Sequence, residues 1–162
     1  MKVKEVKIEV AEYASVAELG AEDAMLVQRA KEMANNAYAP YSKFQVGAAV
    51  LLANGEVVTG ANQENAAYPS GLCAERTALF YAGAKYPDVA VKTIAIAAQT
   101  DHKYCDQAVY PCGSCRQVML ETEKRGQQPI KVIMVGERAI EVVKDAASLL
   151  PLHFDLDAEG NV

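Results

Sequence analysis

The segment VKTIAIAA, residues 91–98, carries the decisive pattern of this chain. Its apolar residues run on rather than alternate, so a strand here has no face left for water. IKVIMV, residues 130–135, repeats the pattern. Strands covered on both faces need a layer of helices on each side, and suitable helices lie between and before them. Residues 113–125 put Cys115, Val118, Met119 and Thr122 at helical spacing, with Gly126 as the expected stop. Residues 74–84 are apolar nearly all round, as in a buried helix. Residues 22–37 place Leu26, Ala30, Met33 and Ala37 on one face and should end before Pro40.

Between the first two helices, strands are expected over about 44–53 and 56–61, joined at Asn54-Gly55, two residues that tolerate positive φ. A further strand is expected near 139–143, a short helix near 145–150, and a period-2 strand over residues 3–10. The order predicts an α/β fold: a three-layer α/β/α sandwich on a mixed sheet of roughly five strands. The 162 residues fit one domain, 1–162, with 1–20 as a peripheral extension.

The net charge of −5 and the scattered lysines and arginines leave no phosphate-tracking groove, which argues against a nucleic-acid partner. The longest apolar run, VGAAVLLA at 46–53, is too short to span a bilayer, and MKVKEVKIEV lacks the apolar core of a signal peptide. With Cys-x-x-Cys in such a chain, metal or redox chemistry is favoured over disulfides, and the expected location is the reducing cytoplasm.

The four cysteines are Cys73, Cys105, Cys112 and Cys115. PCGSC, residues 111–115, by itself fits half a structural zinc site, a redox pair or two core thiols. His102 and His153 have no metal-type spacing, and Cys105, in the polar run TDHKYCDQ, reads as a free thiol. Cys73 differs, because it opens a helix as Cys112 does, where free backbone N–H groups favour a thiolate. Three cysteines from two helix starts would hold one metal and leave its fourth position open, the pattern of a catalytic zinc. GLCAERTALF, residues 71–80, then makes sense of its charges. Glu75, in the first helical turn, can face the open position and move protons there. Arg76 offsets the one excess negative charge that three thiolates give a Zn²⁺ site. Without the cysteines, Glu75-Arg76 would be an exposed pair at a helix start.

Cys-Ala-Glu followed far downstream by Pro-Cys-x-x-Cys resembles the signature of the zinc nucleoside and nucleobase deaminases. APYSKFQVGAAV (39–50), GANQENAAYPSGLCAERTAL (60–79) and PCGSCRQVM (111–119) are similar to cytidine deaminase of the short-chain, homotetrameric type, over residues 22–154. The resemblance implies Cys73, Cys112 and Cys115 as ligands of one zinc ion per subunit and Glu75 as the proton shuttle. It implies Arg76 as the partner of the thiolates, Asn62 and Glu64 as holders of the ribose hydroxyls, and Phe44 beside the pyrimidine. The backbone at Ala74 would read the base, and Tyr68 falls near inter-subunit contacts. LLPLHF (149–154) resembles the family's C-terminal motif, so Phe154 would reach a neighbouring subunit's site.

An amide and a carboxylate two residues apart on an extended segment project to one side, as recognition of a diol needs, though loop capping has the same pattern. The implied activity is hydrolytic deamination of cytidine and 2′-deoxycytidine in pyrimidine salvage. The alternative is a blasticidin S-type or other small-molecule aminopyrimidine deaminase, against which Phe44, Asn62 and Glu64 weigh. A polynucleotide deaminase would need a basic path for the strand. A non-enzymatic zinc or redox module would have no use for Glu75. Three features depart from the family pattern: an insert around 100–108, Leu152 where a small residue is common, and the strand-like residues 3–10.

Overall fold

The fold was analysed in a computed structural model that describes residues 1–156. Its sheet has the order β1-β7-β6-β4-β2-β3, with β5 paired to β4 at one end. The strands are β1 (Ala11–Tyr13), β2 (Phe44–Leu52), β3 (Val57–Ala61), β4 (Val91–Thr100), β5 (Lys103–Tyr104), β6 (Lys131–Val135) and β7 (Ile140–Val143). Only β4 and β6 run parallel; the other neighbours are antiparallel, so the sheet is mixed. Five strands match the expected set, and β1 and β5 are short additions of three and two residues.

The three helices are α1 (Ala21–Ala34), α2 (Ala74–Lys85) and α3 (Gly113–Gly126). Strand parity sorts the two cores. Ala48, Val50, Ile94, Ile96, Val132 and Met134 face α2 and α3. Ala49, Leu51, Ala95, Ala97, Ile133 and Val135 face Leu26, Val27 and Ala30 of α1. This is the expected three-layer sandwich, and it explains the continuous apolar runs in the central strands.

Two glycines set how closely the helices approach. A Cβ on Gly47 would lie 2.1 Å from the Ala30 carbonyl oxygen, and one on Gly60 would lie 2.5 Å from the Ala78 nitrogen. Gly47 therefore seats α1 on one face, while Gly60, paired with Ala48, seats α2 on the other.

The structure revises four local expectations. Residues 3–10 form no ladder; pairing begins at Ala11, where β1 lies against β7. Periodicity alone places an amphipathic stretch but does not say where a partner edge is available. At the β2–β3 turn Gly55 takes φ 87 and Asn54 does not become positive; instead its Oδ1 accepts the Glu56 N–H at 3.1 Å. Helix α3 ends one residue later than expected, because Gln127 rather than Gly126 is left-handed, at φ 49. The insert is a hairpin: Asp101 and His102 are both left-handed and turn β4 directly into β5. Tyr104 then donates to the Lys31 carbonyl at 3.1 Å, clasping the insert to α1.

Candidate active site

Helices α2 and α3 begin on the same side of the sheet, and each start carries a cysteine. Cys73 is the N-cap of α2 and Cys112 the N-cap of α3, both in extended conformation. Cys115, one turn into α3, points back toward them. The Cys73 and Cys112 sulfurs are 3.9 Å apart, and those of Cys112 and Cys115 are 3.5 Å apart. These are non-bonded separations, since a disulfide would need about 2.05 Å. Tetrahedral zinc with sulfur ligands at about 2.3 Å sets those ligands roughly 3.8 Å apart, so the donor set fits one such ion. Cys105 lies outside the cluster, as expected of a free thiol.

The electrostatics of the three sulfurs are uneven. The Cys73 thiol is pulled well below the ordinary thiol range, first by hydrogen bonding from Cys115 and then by Arg76 and Cys112. Cys115 is correspondingly pushed up, by donating to Cys73 and by burial. The Arg76 guanidinium reaches the Cys73 sulfur at 3.8 Å. Arg116 holds the loop that leads into Cys112. Its Nε donates to the Pro111 carbonyl and its Nη1 to the Leu149 carbonyl, both at 2.9 Å.

Glu75 follows Ala74 in the first turn of α2 and is only 4% exposed. Burial lifts its carboxyl above the ordinary carboxylate range; its own backbone N–H opposes the shift and the negative charge of Cys73 adds to it. The fully buried Ala74 puts its backbone between the Cys73 thiol and this carboxyl.

Beside Cys73 opens a cavity of about 540 Å³ whose lining includes Asn62, Glu64, Tyr68, Leu72 and Arg76. Asn62 and Glu64 do more than line it. The Asn62 side chain bridges the start of β2, donating to the Phe44 carbonyl at 2.9 Å and accepting the Val46 N–H at 2.8 Å. Glu64 Oε2 accepts the Tyr41 and Ser42 N–H groups at 2.9 and 3.2 Å, and the Ser42 hydroxyl donates to Oε1. Both therefore grip the loop that carries Phe44. These bonds hold Glu64 below the ordinary carboxylate range, the Ser42 hydroxyl contributing most.

Phe44 opens β2 and is 36% exposed, but its ring is outside the cavity lining. Tyr68 lines the cavity, 76% exposed, and meets Tyr41 edge-on at 6.2 Å. Phe154 lies away from it, 65% exposed, with its carbonyl accepting from Gln117 at 3.0 Å. Reasoning from sequence passed over Tyr41 and Ser42, although both stand in the quoted APYSKF stretch. Their links to Glu64 span more than twenty residues, and no local pattern encodes them.

Residues 21–127 match the family model for the cytidine and deoxycytidylate deaminase zinc-binding region. This chain belongs to the cytidine deaminase family. A cytidine deaminase of Halalkalibacterium halodurans is 50% identical over 97 residues, 60% of this chain and 69% of the relative. A Mycobacterium tuberculosis cytidine deaminase is 37% identical over 136 residues, covering 82% and 90%. The crystal structure of a Burkholderia pseudomallei cytidine deaminase superposes with a TM-score of 0.70 at 37% identity, over 84% of this chain and 100% of that one. Within the cytidine deaminase family the matched region is zinc-binding, in agreement with the Cys73, Cys112 and Cys115 cluster, which is suited to one metal ion. Among the described residues no helix is long and apolar enough to cross a membrane.

Proposed function

We propose that this protein hydrolyses cytidine and 2′-deoxycytidine to uridine and 2′-deoxyuridine with release of ammonia, in pyrimidine salvage. The observation that carries the proposal is the buried Glu75 carboxyl, two residues from Cys73, which itself lines a cavity shared with Asn62 and Glu64. Held by Cys73, Cys112 and Cys115, zinc supplies a Lewis acid that makes water nucleophilic near neutral pH. Glu75 takes a proton from the attacking water and delivers it to ring N3 as the water oxygen bonds to C4. It then passes the second water proton to the exocyclic amine, the C4–N bond breaks, and ammonia leaves a C4 carbonyl. Arg76 donates to the Cys73 sulfur and draws off charge that would weaken the Lewis acid. From the resemblance to the family we assign the base edge to the backbone at Ala74 and the flank of the ring to Phe44, which opens β2 outside the cavity lining.

The sugar is assigned to Asn62 and Glu64. A carboxylate has about four lone-pair sites, and the 41–42 turn fills three of them on Glu64. The site left accepts one hydroxyl proton, while the second amide N–H of Asn62 can donate to the same oxygen. One hydroxyl suffices for a sugar lacking another, which supports 2′-deoxycytidine beside cytidine. An ionised Glu64 at the cavity wall also repels phosphate, which favours nucleosides over nucleotides.

Exposed Tyr68, Phe80, Tyr81 and Phe154 on a chain of this size support assembly, and we assign a homotetramer in which Phe154 reaches a neighbouring site. Residues 1–162 are read as one cytoplasmic domain with 1–20 as an extension, since the family match begins at residue 21.

The test is cytidine turnover followed by absorbance, with zinc measured on the same samples. Glu75→Ala should lower kcat by about 10²–10⁴ while keeping one zinc per chain. Cys112→Ala should lose the metal as well. A wild-type protein loaded with zinc yet inert toward both nucleosides would sink the proposal.

A further inference from the structure

The Ser42 hydroxyl has two neighbours of different kinds. It donates to Glu64 Oε1, and it accepts the backbone N–H of Phe44 at 3.0 Å. A serine hydroxyl has one proton to give, so donation to the carboxylate leaves its lone pairs for Phe44 and fixes the sense of both bonds. Between them lies Lys43, left-handed at φ 58, a conformation that an L-residue holds only when its surroundings impose it. The Phe44-to-Ser42 bond spans that residue and closes the turn. From the other side, Asn62 holds the Phe44 carbonyl. The direction in which Phe44 leaves the loop is therefore set through Ser42 and Asn62, and the orientation of the Glu64 carboxylate is set through Ser42.

We propose that Ser42 is a positioning residue that joins the Glu64 carboxylate and the Phe44 ring into one mechanical unit, so that sugar and base are presented together. The proposal rests on the assignment of Glu64 to the sugar and Phe44 to the base; Ser42 lines the same cavity, and both of its hydroxyl's bonds run to these two residues. Removing its hydroxyl frees Glu64 Oε1 to turn and leaves the Phe44 N–H without its acceptor. The Tyr41 and Ser42 N–H bonds to Glu64 remain, so the loop keeps its anchor. Among the described residues no hydrogen bond joins Ser42 to Glu75 or the three thiols, and the chemical step should be spared.

The experiment is steady-state kinetics on zinc-loaded Ser42→Ala, Ser42→Thr and Glu64→Gln, with cytidine as substrate and free cytosine as competitor. Losing a hydrogen bond to a charged group should raise the KM of Ser42→Ala for cytidine about tenfold or more. Through Phe44 it should also weaken cytosine competition by about threefold, with kcat within about threefold of wild type. Ser42→Thr, which keeps the hydroxyl, should restore both binding constants. If Ser42→Ala leaves either constant unchanged, or if kcat falls as far as KM rises, Ser42 does not join the two subsites. Glu64→Gln should weaken cytidine far more than cytosine. An equal effect on both would overturn the sugar assignment itself, and with it the proposal, in a variant where Ser42 is intact.

Discussion

Glu64, which we assign to the sugar, also holds its own loop. Three donors from Tyr41 and Ser42 keep its carboxyl below the ordinary value of 4.5. With the folded value depressed, the stabilisation these bonds give is present above the unfolded value and disappears as pH falls through the folded one. A ¹³C NMR titration of the Glu64 carboxyl, assigned with Glu64→Gln, should therefore show a midpoint under 4.5. A midpoint at or above 4.5 would contradict the three-donor arrangement. The grouping of Cys73, Cys112 and Cys115 was readable in sequence because its signal is local: Cys73-Ala74-Glu75-Arg76 lie in one turn, and Cys112 and Cys115 in another. The loop-holding role of Asn62 and Glu64 was visible only as one of two open readings, because their partners lie 16 to 23 residues away.

The helices and long strands followed from periodicity because burial on both faces leaves a strong apolar signal. The misses fell where pairing partners or backbone dihedrals decide. Residues 3–10 alternate well but meet no strand edge, whereas Ala11–Tyr13 finds β7. At the end of α3 the glycine sits one position too early, so Gln127, exposed, takes the left-handed conformation itself. An L-residue there is strained, and glycine relieves the strain at some cost in unfolded-state entropy. Gln127→Gly should thus stabilise the protein by about 0.5–1 kcal/mol, seen as a higher urea midpoint at unchanged slope with zinc in excess. A lower midpoint would mean that this helix end is not held as described.

Taken whole, the molecule places its reactive groups where two helices of one layer start beside each other, over strands whose central residues are buried on both faces. Cys73 and Cys112 are 39 residues apart in sequence, and β4 lies between them. A metal shared by them ties α2 to α3 and favours the folded chain by mass action. Removing zinc with a strong chelator should lower Tm by more than about 4 °C, and readdition should restore it. A Tm that stays put through full, measured zinc loss would confine the metal to catalysis.

The alternation in β2 has a further consequence, for how such a chain can vary in length. Ala48, Val50 and Leu52 serve one core, Ala49 and Leu51 the other, and Gly47 and Gly60 each fit one helix. Inserting or deleting a single residue within β2 would turn every later side chain to the opposite layer and move a methyl-sized group under a helix that has no room for it. The hairpin tips at Asn54-Gly55 and Asp101-His102 carry no such parity, so additions there leave both cores in register. The insert beyond β4 lies at one of those two tips, where extra residues change the rim of the molecule without disturbing the strands beneath it.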